Sequence, residues 1–310
     1  MKPIFLMIVA AGLLLIAGCD SGASGVAGAP ASPTAQPTPK LLVSSKALTP
    51  SVEPDRAVPV IANSEFAVGQ ERFVFGIVNS RTGQPIKDVP VVGLQFFKVN
   101  DDGTATKIGD GEAIYRSENL PAGVFVVRTA FKEPGKWGAL FTIRHNGEAP
   151  YQVPLNFDVL ARGSVPMIGD AAPPSKNVTK KDVKDLKEIC SALPHDDMHD
   201  LTIADAIKSG KPTIVLFATP GFCESLTCGP DMELTEKIEA KYRDKANFIH
   251  IETPADHPQA PQAQVPTVQE WGLKSEPWLF LIDKNGKIAE RFEGGLTLDE
   301  VDPEVQKLFQ

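Results

Sequence analysis

The chain has few of the residue types from which reactive centres are usually built. Its 310 residues contain four cysteines, five histidines and five methionines. No GxSxG segment occurs, which removes the nucleophile-elbow hydrolases. No internal repeat is visible, so a solenoid or propeller is excluded. Basic residues are outnumbered, 31 Lys and Arg against 39 Asp and Glu, for a formal net charge of −8. That balance argues against nucleic acid as a partner and against electrostatic binding to anionic lipid. The apolar run FLMIVAAGLLLIAG near the N-terminus is too short for a comfortable transmembrane helix.

That run follows Lys2 and ends in Ile16-Ala17-Gly18-Cys19, which resembles the lipobox of bacterial lipoproteins. The resemblance implies a leader over residues 1–19, acylation of Cys19 (palmitate among the acyl chains) and a lipid anchor at the extracytoplasmic face of the cell membrane. Residues 20–54 are rich in Ala, Ser, Pro, Thr and Gly. They cannot bury enough apolar surface to fold and read as a disordered tether. With Cys19 carrying lipid, the remaining thiols are Cys190, Cys223 and Cys228. In an oxidising compartment three thiols allow one intramolecular disulfide and leave one thiol over.

Residues 55–162 are strand-like. RFVFGIVN, VPVVGLQFFKV, GVFVVRTAF, WGALFTIR and YQVPLNFDVL are separated by the turn signals RTGQ, NDDG, LPAG, EPGK and HNGE. Short strands at this spacing predict an all-β sandwich, and the segment resembles the immunoglobulin-like modules of exported bacterial proteins. A copper-carrying sandwich would need Met and His clusters. This half has His145 alone and no Met before Met167, so a scaffold or docking role is expected, with Trp137 in the core. The Pro-rich stretch DAAPPSKNVTKK covers about 170–181, and residues 163–180 are read as a linker.

Residues 181–310 have another rhythm. VTKKDVKDLKEIC is helix-like, LTIADAIKSG is a short helix closed by Gly210, and KPTIVLFA is a buried strand. PDMELTEKIEAKYRDK carries Leu234, Ile238 and Tyr242 at fourfold spacing, an amphipathic helix with Pro230 in its first turn. NFIHIE, TVQEWGL, the hairpin PWLFLID-KNG-KIAERFEG and LTLDEVDPEVQKLF complete the order.

Between the first core strand and its helix stands GFCESLTCGP, with four residues between Cys223 and Cys228. Three meanings are open: a reactive dithiol, a metal clip or a structural staple. Five residues of ideal helix rise about 7.5 Å, whereas bonded cysteines keep their Cα atoms about 4.4–6.8 Å apart. A Cys223–Cys228 bond therefore requires a turn or a broken first helical turn. Cys228 would then stand at the helix N-terminus, where the dipole lowers a thiol pKa.

Element order and the segments FATPGFCESLTCGP and SEPWLFLIDKNGKIAERFEG resemble exported, membrane-anchored thioredoxin-like proteins. Those proteins include thiol–disulfide oxidoreductases and copper-delivering assembly factors of respiratory oxidases. The resemblance implies an α/β thioredoxin-like domain, a mixed central sheet flanked by helices, behind the immunoglobulin-like sandwich. It makes Cys223 the attacking thiol, Cys228 the resolving one and Pro277 a cis-proline facing them. It also implies cysteine-containing exported partners, such as apo-cytochromes or oxidase subunits, with no cofactor. The alternative it carries is copper held by Cys223, Cys228 and a histidine, His250 or His257. A non-catalytic binding lipoprotein with a structural disulfide is the third reading. Cys190, His195, Met198 and His199 also have ligand chemistry, but the Pro and Asp residues among them predict a loop, with Cys190 buried or a partner for a mixed disulfide. Asp200 or Thr202 is expected to cap the next helix.

Overall fold

The computed structural model describes residues 56–310 apart from 89, 224–225 and 254–258. The leader, Cys19, the tether and His257 lie outside the described residues. Among the described residues no helix is long and apolar enough to cross a membrane.

The N-terminal half forms two sheets. One holds β1 (Ala57–Ile61), β3 (Gly69–Asn79), β7 (Val124–Phe131) and β6 (Ile114–Arg116) in the order β1-β3-β7-β6. The other holds β2 (Phe66–Ala67), β9 (Tyr151–Leu160), β8 (Gly135–Arg144), β4 (Val91–Val99) and β5 (Ala105–Gly111) in the order β2-β9-β8-β4-β5. Phe73, Phe75 and Ile77 of β3 and Trp137, Ala139, Phe141 and Ile143 of β8, at alternate positions, share one core. Phenylalanines therefore meet between the sheets. Phe73 of β3 lies 5.2 Å from Phe96 of β4, and Phe75 lies 4.9 Å from Phe141 of β8. Trp137 is buried against Phe131. The short strands β1, β2, β5 and β6 add to those anticipated, because they lack a long β-branched run and form by pairing with stronger neighbours.

The C-terminal half is a four-stranded sheet in the order β11-β10-β12-β13, with β10 (Thr213–Phe217), β11 (Asn247–Ile251), β12 (Trp278–Ile282) and β13 (Ile288–Glu293). Strands β10 and β11 are parallel, and β12 is antiparallel to β10. The helices are α1 (Ile203–Lys208), α2 (Cys228–Tyr242), α3 (Val265–Glu270) and α4 (Leu298–Lys307). All five residues of β10 are buried because both faces of the sheet are covered. Ile214 and Leu216 pack with Leu234 and Ile238 of α2 and Val301 and Val305 of α4. Val215 and Phe217 pack on the other face with Ile203 of α1 and Trp271.

Two segments differ from the sequence reading. The helix expected in 178–190 is reduced to a 3₁₀ turn at Leu186–Glu188. Side chains compete for its backbone: Thr179 N–H donates to Asp182, Lys187 N–H to Asp185, and Lys184 and Asp185 N–H to Glu188. The stretch 163–180, read as a linker, is anchored to the C-terminal half at several points. Ala171 pairs with Lys287 beside β13, Val165 and Ala172 enter the core with Trp271, and Asn177 accepts from the Ile203 amide. Its polar residues serve the ends of neighbouring elements, a use that composition does not distinguish from solvation.

The two halves share buried polar contacts. Arg72 of β3 donates to both carboxylate oxygens of Glu300 in α4 at 2.8 Å, to the Glu293 carbonyl at 2.5 Å and to the Gly295 carbonyl at 2.8 Å. Both side chains are within 4 % of full burial.

Candidate functional site at the β10–α2 junction

Strand β10 delivers the chain to Thr219-Pro220, and the next turn carries Cys223. Cys223 and Cys228 form a disulfide with a Cα–Cα distance of 6.0 Å. The turn needed to close that distance is present: Leu226 sits at φ +61°, and α2 starts only at Cys228, with Thr227 as its cap residue. Cys228 is thus the first helical residue and is fully buried, while Cys223 is half-buried. Of the two sulfurs, Cys223 is the one a macromolecule can approach.

Pro277 follows a cis peptide bond from Glu276. The Glu276 carboxylate lies within 4.8 Å of both Cys223 and Cys228 sulfur atoms. It accepts from the Thr253 hydroxyl. Thr253 is in turn held by Thr219, whose hydroxyl donates to the Thr253 carbonyl at 2.6 Å and accepts from its amide at 2.9 Å. The site therefore combines a disulfide from the β10–α2 junction with a carboxylate and a cis-proline from the segment leading into β12. Glu276 escaped the sequence reading; its only signal was its position just before the nominated proline.

One helical turn inside α2, Asp231 is completely buried. Its Oδ1 accepts from the Leu296 amide at 2.9 Å, and its Oδ2 has no hydrogen-bond partner among the described residues. Burial raises its pKa well above the ordinary carboxylate range, against the smaller opposing pull of the Leu296 amide and Arg72.

His250 does not join the dithiol. Its Nδ1 meets Asp196 at 2.8 Å and its Nε2 meets the Ala218 carbonyl at 3.0 Å. Its neighbours at ligand distance are Cys190, Asp196 and His199, so the alternative copper set of Cys223, Cys228 and His250 is not brought together. His250 is the register partner of Leu216, and Asp196 and the Ala218 carbonyl take up both of its ring nitrogens. Cys190 is a buried free thiol, Met198 belongs to the α2-side core, and Thr202 caps α1 by accepting from the Asp205 amide. Burial opposes ionisation of Cys190, yet hydrogen bonds from His199 and His250 lower its pKa to about 6.

Residues 200–309 match the family model of the thioredoxin-like domain. No curated protein matches the chain. Among solved structures, a Chlorobium tepidum protein assigned as a thiol:disulfide interchange protein DsbE is 21 % identical, covering 47 % of this chain and 99 % of that one at a TM-score of 0.32. A Neisseria meningitidis protein assigned as a thioredoxin is 24 % identical, covering 36 % and 84 % at a TM-score of 0.30. The pneumococcal exposed lipoprotein thioredoxin Etrx1 of Streptococcus pneumoniae is 16 % identical, covering 33 % and 89 % at a TM-score of 0.28.

Proposed function

We propose that this chain exchanges disulfides with cysteine-containing protein partners through Cys223 and Cys228. The observation that carries the reading is the placement of their disulfide at the start of α2, with cis-Pro277 and Glu276 beside it. A partner thiolate attacks Cys223 Sγ, the Cys223–Cys228 bond breaks, and Cys228 leaves as a thiolate. A second partner thiolate then attacks the partner sulfur of the mixed disulfide and releases Cys223. The partner has lost two electrons and the site has gained them; the reverse sequence reduces a partner disulfide. The helix N-terminus at Cys228 favours its thiolate as the leaving group. Glu276 can accept the proton of an incoming thiol.

The lipobox-like segment ending at Cys19 supports export and anchoring at the extracytoplasmic face of the cell membrane, with apo-cytochromes or oxidase subunits as the class of partner. The N-terminal sheets, of immunoglobulin-like type in this reading, serve as the docking module. The test is a titration of the full chain in glutathione buffers together with a Cys228→Ser trap. Exchange predicts a measurable reduced fraction and covalent mixed disulfides at Cys223. A pair that stays oxidised below about −300 mV and traps nothing is a staple, and the proposal fails.

A further inference from the structure

The proposed exchange reaction leaves a second cluster of reactive side chains unused. Cys190, Asp196, His199 and His250 each present one ligand atom, and these four atoms lie within 4.8 Å of one another. All four residues are buried. Cys190, Asp196 and His199 come from the irregular segment after the 3₁₀ turn, and His250 comes from β11.

Three donors converge on one oxygen. Asp196 Oδ2 is 3.2 Å from Cys190 Sγ, 3.2 Å from His199 Nε2 and 2.8 Å from His250 Nδ1. Asp196 Oδ1 is already used by the Met198 amide. The other nitrogen of His250 faces the Ala218 carbonyl at 3.0 Å. A carbonyl and a carboxylate oxygen both accept, so in the free chain the ring carries a proton on each nitrogen and is an imidazolium paired with Asp196. A metal ion can replace the Nδ1 proton, with that nitrogen and the Asp196 oxygen becoming ligands beside Cys190 and His199. A ring whose far N–H is fixed by a backbone carbonyl is also the usual posture of a metal-bound histidine.

We propose that Cys190, Asp196, His199 and His250 hold one divalent transition-metal ion of the zinc class in a closed, tetrahedral, structural site. Bonds of about 2.0–2.3 Å place tetrahedral ligand atoms about 3.3–3.8 Å apart, so small side-chain adjustments open this cluster to the required size. Binding displaces the Cys190 thiol proton and the His250 Nδ1 proton to solvent and leaves a thiolate, a carboxylate and two neutral imidazoles. Their two negative charges cancel the ion's two positive ones, so the loaded site is neutral where burial penalises charge. Four protein ligands leave no open position for substrate, which marks the site as structural. One sulfur, two imidazole nitrogens and one carboxylate oxygen suit zinc in type and geometry.

The ion would pin the 189–200 segment to β11 behind the dithiol. Ser191, next to Cys190, accepts from the Gly221 amide at 2.9 Å and donates to the buried Glu252. Gly221 has no room for a side chain there, because a Cβ would come within 2.9 Å of Ser191. The turn that carries Cys223 is thus braced by the segment the metal holds.

The experiment uses the untagged full chain with Cys223–Cys228 oxidised, so that neither of those sulfurs can ligate. After chelation it is titrated with Zn²⁺ and separately with Co²⁺. The expected result is one tightly held equivalent, tetrahedral cobalt bands in the visible and a thiolate-to-cobalt charge-transfer band in the near ultraviolet. The charge-transfer band should vanish in Cys190→Ser and persist in a Cys223→Ser/Cys228→Ser variant. Asp196→Asn, close in shape, should lose stoichiometric uptake. A charge-transfer band that survives Cys190→Ser overturns the proposal. So does a wild-type chain that takes up no zinc and melts at the same temperature with zinc as with chelator, whatever the variants do.

Discussion

Removing the Arg72 guanidinium should be the most damaging single charge deletion in this protein. Arg72 makes four hydrogen bonds that reach from β3 into the C-terminal half, two of them a parallel pair on Glu300. Both side chains are almost fully buried, so solvent screening is slight and the surface-pair discount does not apply. Arg72→Ala leaves Glu300 and two carbonyls in the interface without that donor. Breaking one side of a buried pair costs about 3–5 kcal/mol, and the lower end applies here because Arg116 and Arg128 still lie 3.6 and 3.5 Å from Glu300. With a urea slope of about 3 kcal/mol per M, the midpoint should fall by about 1 M. Tryptophan fluorescence can follow both halves, since Trp137 lies in the β half and Trp271 and Trp278 in the other. Arg72→Met combined with Glu300→Leu removes both charges and should recover about half of the loss, the carbonyls of Glu293 and Gly295 still lacking their donor. An Arg72→Ala loss under about 1 kcal/mol, or a double variant as unstable as the sum of the singles, would refute the reasoning.

Asp231 sets a pH dependence. Its folded pKa lies above the unfolded value because burial penalises the charge. The native chain therefore binds this proton more tightly, and stability falls as pH rises above about 4 toward the folded pKa. Asp231→Asn should flatten the dependence of the urea midpoint on pH above about pH 4; an unchanged slope counts against a neutral buried acid. Glu276→Gln should slow reduction of the Cys223–Cys228 disulfide by a small-molecule thiol by about a hundredfold if the carboxylate takes the thiol proton, and unaltered kinetics would remove Glu276 from that role. Phe73, wholly buried and in contact with five other rings among the described residues, should cost about 3–5 kcal/mol as Phe73→Ala by equilibrium unfolding. A cost below about 1 kcal/mol would mean that the core can collapse around the gap.

The elements most readable from sequence are those with strong periodicity. KPTIVLFA, NFIHIE and the PWLFLID hairpin become β10, β11, β12 and β13, and the Leu234, Ile238 and Tyr242 spacing becomes the buried face of α2. The Cys223–Cys228 pairing was constrained by arithmetic on helix rise, and the broken first turn at Leu226 is the form that constraint takes. The 178–190 helix failed because its apolar pattern was overridden by Thr179, Asp182, Asp185 and Glu188, whose side chains capture backbone amides locally.

Amino-acid order alone determined the secondary-structure rhythm, the acidic surface and the two cysteines that can meet, since all of these depend on neighbours a few residues apart. Tertiary structure decided what stands around them. Glu276 reaches the disulfide from β12's leading edge, and His250 is turned from the dithiol toward Cys190, Asp196 and His199 across 60 residues of chain. Arg72 finds Glu300 at a separation of 228. Such contacts arise from sheet register and helix packing, which bring distant residues together by a geometry that no local pattern encodes.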